Sequence, residues 1–126
     1  MAGKREKDKK IDLDFEIGFY EGLLKKKPDF IQALVVLGDA YTRRGDFKKG
    51  LEIDLHLVRL RKDDPGAHYN LACSYSLLGL IDDAFRSIKK AIALGYHNFE
   101  YLCKDPDLEN LKKDKRFHSL FRGLKC

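Results

Sequence analysis

The chain has no tryptophan, one methionine, three prolines and three cysteines among its 126 residues. The cysteines, Cys73, Cys103 and Cys126, are odd in number and contain no CxxC pair. That pattern argues against a disulfide frame or a zinc site. It fits small buried side chains in a reducing compartment. No apolar run approaches the ~18 residues that a membrane span needs, so no membrane partner is expected. The opening MAGKREKDKK is charged and leads into no apolar stretch, unlike a secretion signal. The expected location is cytoplasmic. Also missing is a glycine-rich loop that could cradle phosphate. His56, His68, His97 and His118 show no HExxH-like spacing. Ser87 and Lys90 have the SxxK spacing but sit mid-helix, with no SDN or KTG partner. Asp82-Asp83 opens a helix, where carboxylates complement the dipole. The chain therefore reads as non-catalytic, with no metal and no cofactor.

What is present is enough apolar material to fold. Hydrophobic residues make up 44% of the chain, and a chain of this size buries roughly two thirds of its unfolded surface. The net charge is +5, and it lies at the ends. Residues 1–10 hold five basic and two acidic residues, and residues 104–126 hold seven and four. The remainder carries thirteen basic and fourteen acidic residues, a net of −1. A nucleic-acid domain concentrates its charge on one folded face. Charge confined to the ends reads instead as solvated tails, so nucleic acid is not the expected partner. Residues 1–10 read as a disordered basic arm, and 11–126 as one domain.

From Ile11 onward the apolar spacing is helical. Phe15, Phe19 and Leu23 recur at four-residue steps, with Ile17, Tyr20 and Leu24 beside them. Pro28 ends the first helix. A second is expected over 29–44, with Asp29 as its N-cap, and a third over 47–61. The fourth is expected over 67–78 and the fifth over 82–94. Gly45, the run at 63–66, Gly79 and Gly95 separate them. A shift of 34 residues lays Ala33, Leu37, Tyr41 and Gly45 onto Ala67, Leu71, Tyr75 and Gly79, and Leu60 onto Leu94. The first three sit four apart, on one helix face. The glycine then lets the next helix fold back. Each unit is a helix hairpin, and one hairpin cannot bury its face alone.

These residues resemble the tetratricopeptide repeat, with its W-x2-L-G-x2-Y…A-x3-F…P motif and period of 34. Leu34, Leu37, Gly38 and Tyr41 follow the motif in one unit, and His68, Leu71, Ala72 and Tyr75 in the next. Leucine and histidine replace the tryptophan. Ala84, Ile88, Ala91 and Ile92 match the second half-motif well. Gly50, Asp54, Leu57 and Val58 match it poorly, because Asp54 stands where the family has a bulky apolar residue. Asp54 marks either a rotated or wet helix face, or a buried carboxylate paired with His68, Tyr41 or Tyr75. The resemblance implies an all-α fold, a right-handed superhelix of antiparallel helix hairpins. It would hold a half repeat at 11–28, repeats at 31–64 and 65–98, and a capping tail at 99–126. Asp105-Pro106 reads as a helix start, and 97–122 as two short capping helices that hide the last apolar face.

The resemblance also implies a function, protein–protein interaction through a concave groove lined by the first helix of each unit. The groove residues would be Gln32, Val35, Val36, Asp39, Thr42 and Arg43, then Tyr69, Asn70, Cys73, Ser76 and Leu77, with Tyr69 at the centre. The expected partner is an extended peptide or helix of another protein. The family's carboxylate clamp would need lysine and asparagine where Val35 and Asp39 stand, although Asn70 matches its second asparagine. A chaperone-tail receptor is therefore not expected. The alternatives are a self-associating solenoid, pairing its edge at 12–28 with a second copy, and an RNA-associated protein using its basic ends.

Overall fold

Gly45 and Gly79, 34 positions apart, do the same work in the computed structural model of the chain. Both have positive φ, 89° and 74°, a region that side chains with a Cβ rarely adopt. Gly45 N–H donates to the Thr42 carbonyl and Asp46 N–H to that of Tyr41. Gly79 N–H donates to Ser76 and Leu80 N–H to Tyr75 in the same pattern. Each pair closes one helix and starts the next within two or three residues.

The structure describes the backbone of residues 2–123 and 126, and the side chains of 12–123 and 126. Every regular element among them is helical. The five long helices are α1 (Ala2–Lys26), α2 (Ile31–Arg44), α3 (Phe47–Leu60), α4 (Pro65–Leu77) and α5 (Ile81–Ala93). The tail forms α6 (Phe99–Lys104), a 3-10 turn (Pro106–Leu108), α7 (Glu109–Lys112) and α8 (Lys115–Leu120). The chain divides into two compact units, residues 1–60 and 61–126, where the sequence reads as a single domain over 11–126.

In residues 1–60 each helix packs on its chain neighbour. Ile17 of α1 is buried with Leu37, Ala40 and Tyr41 of α2, and Leu13, Tyr20, Leu24 and Ile53 close around them. Gly38 sits where α2 and α3 approach closely. A Cβ there would lie 3.1 Å from Ile53 Cγ2 and 3.4 Å from Asp54 Oδ1. Asp54 is buried, as its place on that face requires. Of its expected partners, Tyr41 directs its hydroxyl to Glu21 Oε2 at 2.5 Å, and His68 Nε2 lies 2.8 Å from the Lys62 carbonyl.

In residues 61–126 the α4–α5 hairpin carries the tail on its surface. One cluster joins Tyr69, Ala72 and Cys73 of α4, Ala84, Phe85, Ile88 and Ala91 of α5, and Leu102, Leu108, Leu111, Phe117 and Phe121 of the tail. Arg116 of α8 adds an ion pair with Asp82 at 2.8 Å, and its guanidinium lies 4.8 Å from the centre of the Phe85 ring.

Several expectations are corrected. Helix α1 begins at Ala2, within the stretch read as a disordered arm. Alanine, lysine, arginine and glutamate sustain a helix, and the packed part of α1 supplies its nucleus. Asp29 does not cap α2. Phe30 holds the N-cap position, and Asp29 Oδ1 lies 2.9 Å from His56 Nε2 instead. The tail holds three short helices and a 3-10 turn rather than two helices. The cysteines are not all reduced, since Cys103 and Cys126 form a disulfide and only Cys73 is a free thiol. Spacing along the chain does not reveal that the C-terminus returns to α6.

Candidate functional site

The expected groove residues fall into two sets with opposite fates. Tyr69, Cys73 and Ser76 share one face of α4 at steps of four and three, and all three are buried. What covers them is the tail. The Tyr69 hydroxyl donates to Asp105 Oδ2 at 2.6 Å, and the Cys73 thiol lies 3.7 Å from the same oxygen. Ser76 Oγ accepts the Leu111 N–H at 3.1 Å, while the Ser76 carbonyl accepts from Asn110 Nδ2 at 2.9 Å. The ring of Tyr69 also stacks on Tyr96, centroids 4.3 Å apart. Burial, followed by the charge of the Cys73–Asp105 surroundings, raises the Tyr69 pKa above its ordinary value. Burial likewise pushes the Cys73 thiol up, with Asp105 adding to it. These groups stay protonated at neutral pH and serve as hydrogen-bond donors. Assigning Tyr69, Cys73 and Ser76 to a site open to a partner is therefore incorrect. Of the α4 residues proposed for the groove, Asn70 is exposed and Leu77 half-buried.

The set on α2 is open. Gln32, Val35, Asp39 and Arg43 are exposed, and Val36 and Thr42 are half-buried. Val35 is 48% exposed. Asp39 Oδ2 accepts from Arg43 Nε at 2.8 Å, and Arg43 also reaches Glu16 of α1 at 3.0 Å. The Thr42 hydroxyl is turned back onto the Gly38 carbonyl at 3.1 Å. Gln32 borders a shallow open hollow at the α1–α2 turn, lined by Lys27, Pro28, Asp29, Phe30 and Ile31. The face thus offers one apolar patch beside a clamped set of mixed charges.

The two sets are related by the repeat. Val35, Asp39 and Thr42 precede Tyr69, Cys73 and Ser76 by 34 residues each. Of the positions that hold the chain's own tail on α4, the first two, Val35 and Asp39, are exposed on α2 and Thr42 is half-buried. The residue missed from the sequence is Asp105, read only as a helix start. It is buried, and its Oδ1 also accepts the Asp107 N–H at 3.0 Å. A signal was present: α4 is small or apolar on nearly every side, as a helix covered on both faces must be. Among the described residues no group of three His, Cys, Asp or Glu side chains could hold a metal ion. No described helix is long and apolar enough to cross a membrane.

No protein-family model matches the chain. A curated protein of Arabidopsis thaliana, described as chloroplastic, is 32% identical over 108 residues, which take in 81% of this chain. The chain spans about a third of that protein's length, 32%.

Proposed function

We propose that the chain is a non-catalytic interaction module of the tetratricopeptide-repeat type, and that it holds a partner's peptide segment on the open face of α2. One observation carries this reading. On α4, Tyr69 and Cys73, equivalent to Val35 and Asp39, meet the Asp105 carboxylate, and Ser76, equivalent to Thr42, accepts from the Leu111 N–H and the Asn110 side-chain amide. A helix face that holds a segment at three repeat-equivalent positions is a precedent for the one that is bare. On α2, Val35 would supply the buried apolar contact, while Arg43 and Asp39 would pair with a ligand's backbone or mixed charges. Arginine contributes heavily at such contacts because it combines buried area with several donors.

Selection of a random peptide library against the folded chain tests the proposal. The expected ligands bind with roughly micromolar affinity, about −8 kcal/mol. Val35→Arg and Arg43→Ala should each weaken them by more than ~1 kcal/mol without lowering the melting temperature, while Glu52→Ala on α3 should do nothing. Ligands indifferent to both α2 changes would overturn it. As for location, the Arabidopsis relative is described as chloroplastic, while the sequence reading favours the cytoplasm. Imaging a tagged full-length chain in its native cell decides between them.

A further inference from the structure

Helix α1 buries one side against α2 and leaves the other open. At about 100° per residue, Leu13, Ile17, Tyr20 and Leu24 share the inward side and pack in the core. Phe15, Gly18, Phe19 and Gly22 lie opposite them. Phe15 is 76% exposed and Phe19 54%, an apolar pair that water should not be left to cover. A Cβ added to Gly18 or Gly22 would meet nothing within 4 Å, so no contact among the described residues explains a glycine at either place. Both also weaken the helix relative to alanine. The same face carries exposed Asp12 at one end and exposed Lys25 and Lys26 at the other.

We propose that this face is a homodimer interface in which α1 of one copy lies antiparallel on α1 of a second. Large and small residues interlock in a single register. With Phe15 set over Gly22 of the partner copy, Phe19 falls on Gly18 and Asp12 on Lys25, and the two-fold axis repeats all three contacts. Glycine lets the backbones approach until each ring fills the gap beside its counterpart. A parallel pair would set phenylalanine on phenylalanine, Asp12 on Asp12 and Lys25 on Lys25, so charge selects the antiparallel arrangement. The overlap ends with the helix at Lys26.

Light scattering and sedimentation of the full chain over a range of concentrations test this. The expected result is a monomer–dimer equilibrium. Gly22→Leu separates interface from fold: it should raise the melting temperature of the dilute monomer, because leucine favours helix, while abolishing the dimer. Phe15→Glu should also abolish it. Lys25→Asp should weaken the dimer several-fold, and combining it with Asp12→Lys should restore it. A chain monomeric at all concentrations, or a dimer untouched by Gly22→Leu, overturns the proposal. A dimer weakened by Lys25→Asp but not restored by the double change overturns the register.

Discussion

The Tyr69 hydroxyl donates to the Asp105 carboxylate across 36 residues of sequence, at 2.6 Å and out of reach of solvent. Asp105 caps the 3-10 turn with its other oxygen, so one side chain both starts the tail's turn and ties it to α4. A buried carboxylate that loses a donor keeps its desolvation penalty. Tyr69→Phe should therefore lower stability by about 1–3 kcal/mol. Asp105→Asn should cost a similar amount, and the double variant should cost less than the sum. Denaturant unfolding of the four proteins checks it. Additive losses would show that the two groups are not coupled.

The same contact predicts a response to alkali. In the fold the Tyr69 phenol keeps its proton to higher pH than a free tyrosine. A raised folded pKa contributes stability that is fully present below the unfolded value, about 10, and lost as pH rises beyond it. The Cys73 thiol acts with the same sign from about pH 8.5. The melting temperature should fall between pH 8 and 11, and fall less steeply in Tyr69→Phe.

The disulfide closes a loop with a separation of 23 residues. Cross-linking a loop of that length stabilises by roughly 3.5 kcal/mol through the unfolded chain. Cys126→Ser, or reduction of the parent, should lower the unfolding free energy by a comparable amount, and reduction should add nothing to Cys126→Ser. Thiol titration of the unfolded, unreduced chain should find Cys73 alone.

Burial makes α4 and α5 sensitive to a change of side-chain volume in either direction. Leu71 and Ala84 are buried, Ala84 completely. Leu71→Ala should cost ~2–5 kcal/mol as a cavity, and Ala84→Leu ~1–3 kcal/mol as overpacking. Thermal melts of both variants check the repeat register, which fails if neither moves.

Removing residues 97–126 would expose Tyr69, Ala84, Ile88 and Ala91, which the tail helps to cover. The truncated chain should aggregate or melt early. A soluble truncation as stable as the parent would contradict the tail's place in the core.

The helical hairpins were legible in the sequence because their causes are local. Proline at 28, 65 and 106 and glycine at 45 and 79 act through their own backbone, and four-residue spacing acts within one helix. The bare stripe of α2 was legible for the same reason, since Gln32, Asp39 and Arg43 are polar wherever they are placed. Tertiary structure alone decided what covers α4. Tyr69, Cys73 and Ser76 suit an open groove as well as a buried seam, and which they form depends on Asp105, Asn110 and Leu111, some 35 residues away. Periodicity shows that a helix has an apolar side; it does not say which distant segment will lie against it, because that is settled by shape and by buried polar groups finding partners.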